Sequence, residues 1–361
     1  MSAAEPPENS IEASSGRHHP IRVGVIGLGR WGSRLADALR RSARFRLEAV
    51  CDAATERLPT DPSLLSTERS EVLLGAGLEA VVIATNPAQH AELAVAALQA
   101  GHHVFVEKPC SLSTEGAERI QRAAETARRV ACVGHLLRYH AAFERLVELG
   151  TSGELGTLLG AVAERVGSRP RTDVDSWWML APHDLSVSYA LFGRGADEVR
   201  RWRVGEDEFL ASARFGLSGV ALWVRSGGQS SRRFALVGTR KVALFDDLSD
   251  PGCIRLLPAG APRLRELSLL CSRALGLEQP SALEAALSRA FEEPAELLRF
   301  VAPPPLEREL DGFASAIRNG TRVTTDAREG AAVVAMLDVP PRERLVVSSS
   351  QAEASLWGVE P

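Results

Sequence analysis

The sequence predicts an α/β protein of two domains: a doubly wound parallel sheet, followed by an α+β domain with a large, mostly antiparallel open sheet. The chain has 361 residues, which exceeds what a single hydrophobic core usually supports. Short apolar runs alternate with helical periodicity from Ile21 to about residue 140, which is typical of a parallel sheet covered by helices. Beyond about residue 150, strand-like runs follow one another across short turns, which favours antiparallel pairing.

We assign residues 1–20 to a disordered polar tail, residues 21–140 to the first domain, residues 141–345 to the second and residues 346–361 to a C-terminal tail. The first tail lacks the basic start and the apolar core of a secretory signal. No run of about 18 apolar residues occurs, so we expect no membrane segment. The odd number and wide spacing of the cysteines fit a reducing cytoplasm. Residues 259–302 are predicted to be helical, and they suggest no chemistry.

The composition is that of an ordinary globular protein, with 45% hydrophobic and 24% charged residues. The net charge of -4 is spread along the chain without long runs of one sign, which excludes the basic patch that nucleic acid or an anionic membrane surface requires. A small neutral or polar molecule is therefore the expected partner. The five cysteines are odd in number and widely spaced, so neither a disulfide framework nor a metal site is expected.

A glycine motif follows the first predicted strand. Gly27, Gly29 and Gly32 stand in the run GLGRWG, directly after the strand RVGVI and at the start of a predicted helix. In such a turn the first glycine allows a tight bend, the second lets the backbone approach a pyrophosphate, and the third lets helix and strand pack closely. The amino end of the helix then faces the anion. The combination of strand, glycines and helix therefore predicts a dinucleotide site.

Asp52 ends the second predicted strand, 20 residues beyond Gly32, where a carboxylate can accept hydrogen bonds from ribose hydroxyl groups. This carboxylate would repel a 2′-phosphate, and the next residues, Ala53 and Ala54, offer no arginine to bind one. We therefore expect NAD in preference to NADP. An ordinary turn residue at a strand end is the alternative interpretation of Asp52.

Three runs together resemble the glucose-fructose oxidoreductase and inositol dehydrogenase family (Gfo/Idh/MocA): VGVIGLGRWG, VVIATNPAQHAELAVAALQAGHHVFVEKP and PHDLS. The resemblance extends from Ile21 to about Pro340. It implies a Rossmann domain followed by an open-sheet domain, NAD or NADP as cofactor, and a sugar, cyclitol or sugar-nucleotide substrate. It also implies a homodimer or homotetramer that associates through the C-terminal sheet.

Two residues are expected to carry the chemistry. Glu107-Lys108-Pro109 follows a strand at the carboxyl edge of the parallel sheet, where ligands of such sheets bind. By resemblance, Lys108 donates hydrogen bonds to a substrate hydroxyl and to the nicotinamide ribose, and a cis peptide bond at Pro109 would fix its loop. His183 matches the acid/base histidine of the family, and a pKa of about 6.5 suits proton exchange near neutral pH. Pro182 is placed in the first turn of the helix that follows.

The sequence departs from the family pattern one helical turn before His183. Many members carry an aspartate four residues before the histidine, whereas this chain has Met179. A thioether neither ionises nor holds a proton, so the expected Lys-Asp-His set is incomplete. Asp175 lies four residues earlier still and would substitute only if the backbone turned it inward, and Asp184 points about 100° away from His183 on a helix. We expect a less polar or unusually modified substrate.

Position and resemblance suggest further contacts. The expected cofactor-binding residues are Gly27, Gly29, Arg30, Trp31, Gly32, Asp52, Thr85, Asn86, His90, Glu107 and Lys108. The expected substrate-binding residues are Lys108, Arg138, Asp175, Trp178, Met179 and His183. A role at the domain junction is the alternative for Arg138, and simple packing is the alternative for Trp178.

Three functions are consistent with these residues. The first is an NAD(P)-dependent dehydrogenase or reductase that transfers a hydride between nicotinamide and a hydroxyl or keto carbon. The second is a non-catalytic, nucleotide-binding regulatory relative, and Met179 is the feature that favours it. The third is an NAD-dependent glycoside hydrolase. Resemblance of fold alone does not decide among them.

Overall fold

The computed structural model describes residues 19–167, 173–272, 280–301 and 303–342. Most of the first expected tail and all of the second lie outside the described residues. Within the described ranges the chain forms two β-sheets, one of six strands and one of eight strands. Helices pack against both sheets, which confirms the fold class predicted from the sequence.

The first sheet is parallel. Its strands are β1 (Ile21–Ile26), β2 (Phe45–Cys51), β3 (Leu65–Thr67), β4 (Ala80–Ile83), β5 (His103–Glu107) and β6 (Ala131–Gly134). The connecting helices are α1 (Arg30–Arg41), α2 (Ser70–Leu74), α3 (Pro87–Gln99) and α4 (Thr114–Ala127). The spatial order is β3-β2-β1-β4-β5-β6. The order reverses between β1 and β4, and doubly wound sheets bind ligands in the crevice at such a point.

The second sheet is mostly antiparallel, as predicted. Helix α5 (Ala141–Thr151) precedes it. Its strands are β7 (Leu158–Gly167), β8 (Glu198–Gly205), β9 (Glu208–Phe215), β10 (Ser218–Ser226), β11 (Ser231–Gly238), β12 (Lys241–Asp246), β13 (Cys253–Pro258) and β14 (Glu296–Arg299). The order is β14-β13-β12-β11-β7-β10-β9-β8, and β7 pairs with β10 in parallel. The remaining helices are α6 (Ser176–Phe192), α7 (Arg265–Ser272), α8 (Pro280–Phe291), α9 (Pro305–Asn319) and α10 (Ala327–Leu337).

Helix α6 begins earlier than the sequence suggested. The expectation that Pro182 lies in its first turn is wrong, because the helix begins at Ser176 and contains Pro182 in its interior. Asp175 accounts for the earlier start, since its side chain accepts a hydrogen bond from the backbone N–H of Trp178 and caps the helix. The interior proline has no N–H, so it leaves the carbonyl of Trp178 without its helical hydrogen bond.

Helices cover both faces of the second sheet. Side chains along a strand point to each face in turn. On one face, Ala163 of β7 belongs to the buried cluster that contains Leu185 of α6. On the other face, Val162 belongs to a buried cluster with Leu267 of α7 and Leu287 of α8. The sheet is therefore the middle layer of three.

Residues 259–302 have a structural role that the sequence did not reveal. The prediction of helix is confirmed for α7 and α8, but Glu296–Arg299 forms the edge strand β14 instead. Helix α7 lies against the central strands β7, β10 and β11. These helices cover one face of the sheet, and the homodimer or homotetramer expected through the sheet stays a prediction.

The last two helices return to the first sheet. Phe313 of α9 packs against the rings of Phe45 and Phe105 on one face. Helix α10 touches both halves of the protein, because Val334 belongs to a cluster on the other face of the first sheet and Val333 belongs to the cluster around α6. Helix α10 therefore joins the parallel sheet to the helix that carries His183.

Candidate active site

Glycine is required at two positions of the loop between β1 and α1. Gly27 has a φ of 94°, and a Cβ there would lie 2.6 Å from the carbonyl oxygen of Ala84. A Cβ at Gly32 would lie 1.8 Å from the carbonyl oxygen of Gly27. Gly29 is different, because a Cβ there would meet no atom within 4 Å. The space beside Gly29 is therefore open, as a pyrophosphate bound against the backbone requires.

The amino end of α1 has the features of an anion site. Gly29 precedes the helix, and neither a capping side chain nor an acidic residue stands in the first turn. The first N–H groups of a helix have no partner within the helix and favour negative charge. Arg30, the first helical residue, is exposed. A pyrophosphate at this end would meet backbone N–H groups and a region of positive potential.

Asp52 supports the same loop. Its Oδ2 accepts a hydrogen bond of 2.6 Å from the backbone N–H of Leu28, and its Oδ1 accepts one of 2.9 Å from that of Ala54. Although Ala53 and Ala54 offer no arginine, a nearby arginine does reach Asp52. Arg57 Nη1 lies 3.5 Å from Oδ1, because the single helical turn Thr55–Arg57 brings it back toward the carboxylate. The preference for NAD over NADP therefore depends on the carboxylate itself.

Glu107 joins the glycine loop to the end of β5. Its carboxylate is buried, and the indole Nε1 of Trp31 donates a hydrogen bond to Oε1. Burial raises the pKa of Glu107 to about 7, against the opposing effects of the Lys108 charge and the Trp31 hydrogen bond. The peptide bond between Lys108 and Pro109 is cis, as the sequence suggested.

Three residues expected near the cofactor follow β4. Asn86 caps α3 with its side-chain oxygen, and its Nδ2 donates a hydrogen bond of 3.2 Å to Asp173. His90 is buried, with Nδ1 at 2.8 Å from the carbonyl of Pro109 and Nε2 at 3.2 Å from that of Thr85. Burial lowers the pKa of His90, and a neutral ring donates to only one of these carbonyls. Both nitrogens of His90 thus face protein groups, and the ring braces the loops around it.

Lys108 and His183 come together from the two halves of the protein. Lys108 Nζ donates a hydrogen bond of 2.7 Å to the carbonyl oxygen of Met179, one helical turn before His183. In the part of the chain that the structure describes, Nδ1 of His183 is buried and has no hydrogen-bond partner. Burial, and next the charges of Lys108 and Arg165, hold the pKa of His183 well below its usual 6.5. The ring is therefore neutral at pH 7 and able to accept a proton.

Neither neighbouring aspartate replaces the missing carboxylate. Asp184 forms a buried, bidentate ion pair with Arg165, with N···O distances of 2.8 and 2.7 Å. Asp175 caps the amino end of α6 and lies 3.8 Å from Arg203. Both carboxylates are engaged elsewhere, and the structure does not bring Asp175, an expected substrate contact, to His183.

The residues just before His183 form an apolar surface. Trp177 is fully buried and donates a hydrogen bond of 2.9 Å from Nε1 to the carbonyl of Leu337, so it belongs to the core. Trp178 is partly exposed and packs against the buried clusters of both halves. Met179 is also partly exposed. Apolar side chains thus stand where the family pattern has a carboxylate.

A carboxylate that the sequence did not reveal lies beside Arg138. Glu329 of α10 is 3% exposed, and its Oε2 accepts a hydrogen bond of 3.0 Å from Arg138. Its Oε1 lies 3.2 Å from Nδ1 of His135. Arg138 also donates a hydrogen bond of 3.2 Å to the carbonyl of Ser186 on α6. Arg138, in the segment that follows β6, therefore links α10 to α6. These bonds fit the alternative interpretation of Arg138, a role at the junction of the two domains.

The remaining reactive groups do not suggest further chemistry. Among the described residues, no three His, Cys, Asp or Glu side chains are grouped as a metal site requires. Burial raises the pKa of Cys110 to about 12, so its thiol is protonated and a poor nucleophile. Across the same described ranges, no helix combines the length and the apolar composition needed to cross a bilayer.

A comparison with protein families finds a match to the first domain. The family model described as an oxidoreductase family with an NAD-binding Rossmann fold matches residues 21–135. The matching model is that of the Gfo/Idh/MocA family. The matched Gfo/Idh/MocA segment contains the glycine loop, Asp52, the cis peptide bond and Lys108.

Curated relatives match this chain over part of their length. A UDP-N-acetylglucosamine 3-dehydrogenase from Acidithiobacillus ferrooxidans is 31% identical over 50% of this chain and 57% of its own. An inositol 2-dehydrogenase from Streptomyces avermitilis is 38% identical over 52% of this chain and 54% of its own. The chain therefore matches little more than half the length of these relatives.

Solved structures extend the likeness to the second sheet. The UDP-N-acetylglucosamine 3-dehydrogenase of Acidithiobacillus ferrooxidans has a TM-score of 0.70 at 23% identity, covering 88% of this chain and 95% of its own. A Bordetella pertussis dehydrogenase in complex with NADH and UDP-GlcNAcA has a TM-score of 0.66 at 19% identity, covering 88% and 94%. At these identities the likeness concerns the fold alone.

Alanine at Gly29 and at Gly32 is expected to separate cofactor binding from folding. In Gly32→Ala the new Cβ meets a backbone carbonyl, so both thermal stability and NADH binding should fall. In Gly29→Ala it meets no protein atom, so the fold should persist. NADH affinity should nevertheless drop about tenfold or more, or about 1.4 kcal/mol, because the methyl group occupies the open space. Thermal unfolding and NADH fluorescence titration measure the two effects.

Gly260→Ala is the matched control, because Gly260 also has open space around it and lies on the surface. This control should leave both measurements unchanged. If Gly29→Ala binds NADH as well as the unmodified protein does, the loop is not the pyrophosphate site.

Proposed function

We propose that this chain is an NAD-dependent dehydrogenase or reductase that transfers a hydride between nicotinamide and a hydroxyl or keto carbon. The proposed substrates are sugars, cyclitols, sugar nucleotides and related modified small molecules. The observation that carries the proposal is the contact of Lys108 Nζ with the carbonyl of Met179, 2.7 Å away and one turn before His183. The names of curated relatives, a UDP-N-acetylglucosamine 3-dehydrogenase and inositol 2-dehydrogenases, support it.

The residues of the first domain fit NAD. The backbone beside Gly29 and the N–H groups that begin α1 would hold the pyrophosphate, and Asp52 would accept hydrogen bonds from the adenosine ribose. Thr85 and Asn86 border the crevice at the end of β4. Bound NAD supplies the hydride acceptor for oxidation, and NADH supplies the hydride for reduction. NADP is the less favoured cofactor, because the Asp52 carboxylate opposes a 2′-phosphate even with Arg57 nearby.

Lys108 and His183 divide the work on the reacting oxygen. In oxidation, Lys108 donates a hydrogen bond to the hydroxyl oxygen of the reacting carbon and stabilises the negative charge that develops there. His183, neutral at pH 7 because burial holds its pKa low, accepts the hydroxyl proton as the hydride leaves the carbon. In reduction the proton returns from His183 to the forming hydroxyl.

The apolar surface before His183 limits the substrate. Met179 offers no acceptor to a substrate hydroxyl, and the partly exposed Trp178 offers an aromatic surface. We therefore propose a substrate that is less polar, or otherwise modified, on the side that faces α6.

A regulatory, non-catalytic relative is the second candidate, and Met179 is the observation that favours it. Such a protein would bind NADH through the glycine loop and would show no turnover. The geometry favours the enzyme, because Lys108 reaches the turn before His183 and the buried Nδ1 of His183 has no hydrogen-bond partner among the described residues.

Substitution of the two proposed catalytic residues tests the enzyme directly. With NAD and a panel of myo-inositol, UDP-N-acetylglucosamine and its uronic acid, the unmodified protein should generate NADH. His183→Gln and Lys108→Met should lower turnover by about a hundredfold or more, while NADH binding persists. Lys241→Met is the control, because Lys241 lies on β12 and pairs with Glu154 away from the crevice. Full turnover in either variant contradicts the proposed roles.

The low pKa of His183 predicts a particular pH profile. A base acts only when deprotonated, and the folded protein holds the pKa of His183 well below 6.5. The kcat/KM for oxidation should therefore stay level as pH falls through 6.5 and decline only at lower pH, where His183 gains its proton. A decline centred at or above pH 6.5 that disappears in His183→Gln contradicts this assignment.

We further propose that the second sheet is not a subunit interface. Helices α7 and α8 cover its outer face, and exposed charged residues of these helices pair with each other, as Arg289 does with Glu266. The homodimer or homotetramer expected from the sequence would then have to form through another surface.

Light scattering coupled to gel filtration measures the molar mass of the protein in solution and thus its oligomeric state. We expect a monomer of 38.8 kDa. A stable dimer or tetramer would show that subunits associate through another surface or displace these helices, and it would contradict the prediction.

A further inference from the structure

Helix α6 has a weak point next to His183. Pro182 supplies no N–H to the carbonyl of Trp178, so the turn that leads into His183 lacks a helical hydrogen bond. Helices bend readily where a proline interrupts the ladder of hydrogen bonds. The position of His183 therefore depends on contacts from outside the helix.

Hydrogen bonds hold this turn on both sides of His183. Before it, Lys108 Nζ donates to the carbonyl of Met179 at 2.7 Å. After it, Oγ of Ser186 donates to the carbonyl of His183 at 2.9 Å. The carbonyl of Ser186 in turn accepts a hydrogen bond of 3.2 Å from Arg138. One fixed contact thus comes from Lys108 and the other from Arg138.

Glu329 fixes Arg138. Its Oε2 accepts the 3.0 Å hydrogen bond from Arg138, and its Oε1 lies 3.2 Å from Nδ1 of His135. Its own backbone N–H donates to the helix cap Asp326 at 2.9 Å, so the first turn of α10 holds it in place. Hydrogen bonds to a charged group are strong and directional, and burial strengthens them further. At 3% exposure, Glu329 is a rigid anchor.

Helix α10 is suited to this role because it is buried against both halves of the protein. Val334 packs on the first sheet and Val333 packs in the cluster around α6. The indole of Trp177 on α6 also donates a hydrogen bond to the carbonyl of Leu337 at the end of α10. Glu329 on α10 can thus hold Arg138, which follows β6, in a fixed position relative to the turn that carries His183.

We propose that Glu329 is a positioning residue for proton transfer at His183. Through Arg138 and Ser186, it sets where His183 stands relative to Lys108 and so fixes the space for the reacting oxygen. The catalytic half of this proposal rests on the proposed dehydrogenase function, whereas the anchoring of α6 does not. A displacement of about 1 Å near a reaction costs on the order of a hundredfold in rate, so loss of the anchor should appear in kcat.

Hydrogen exchange tests the anchor without any substrate. The protein is saturated with NADH, and amide exchange is followed by mass spectrometry across α6. In Glu329→Gln, which keeps the size of the side chain and removes its charge, amides between Pro182 and Ser188 should exchange about tenfold faster. Ser186→Ala should accelerate the same amides by less. Glu284→Gln, on the exposed side of α8, is the control and should change nothing in α6.

Steady-state kinetics test whether Glu329 positions His183 for proton transfer. The substrate is myo-inositol or UDP-N-acetylglucosamine, whichever the unmodified protein oxidises. Turnover is expressed per NADH-binding site, so that misfolded molecules do not count. Glu329→Gln should lower kcat by about tenfold to a hundredfold and leave the KM for NAD unchanged. Glu329→Asp, which keeps the charge, should recover part of kcat.

The anchoring of α6 and the positioning role of Glu329 in catalysis can be refuted separately. Unchanged exchange in α6 of Glu329→Gln refutes the anchor, whatever Ser186→Ala does. Faster exchange with full kcat per site assigns Glu329 a structural role only and refutes positioning. If the unmodified protein oxidises neither substrate, that result counts against the proposed function, and the exchange data alone decide the anchor. Should Glu329→Gln fail to fold, Glu329→Asp carries both measurements, because it keeps the buried charge and withdraws the carboxylate from Arg138.

Discussion

The hydrogen bond from Lys108 Nζ to the carbonyl oxygen of Met179 is the contact on which the candidate active site depends. It joins the end of a strand in the parallel sheet to the helix that carries His183. Because the acceptor is a backbone atom, the contact does not require any particular side chain at position 179. Methionine can therefore stand where the family pattern has an aspartate, and the lysine and histidine still meet.

The exchange of a carboxylate for a thioether changes the electrostatics of His183. Burial and the neighbouring charges of Lys108 and Arg165 oppose its protonation, and an adjacent aspartate would favour it. With Met179 in that position the ring remains a neutral base over a wider range of pH. The same exchange leaves an apolar surface beside Trp178. The absence of the carboxylate therefore affects both the protonation of His183 and the polarity of the substrate that can bind.

Local patterns determined what the sequence could predict. Glycine spacing, alternation of strands and helices, and the cis bond at Pro109 depend on residues that are close in the chain, and the structure confirms them. Proline often begins a helix, so the pattern predicts a start of α6 at Pro182, whereas the cap at Asp175 starts this helix at Ser176. Glu329 bonds to Arg138 across 191 residues, and no periodicity marks such a contact. The helices in residues 259–302 were predictable, but the sheet face that they cover was not.

A crystal structure of the complex with NADH would show directly whether Lys108 and His183 act together beside the nicotinamide. The decisive quantities are the distances from the nicotinamide C4 atom to these two side chains. We predict that C4 faces α6 and that Lys108 Nζ and the His183 ring converge, each at about 3 Å, on one oxygen-sized position beside C4. A nicotinamide whose C4 faces away from α6, or a His183 ring beyond reach of that position, would contradict it.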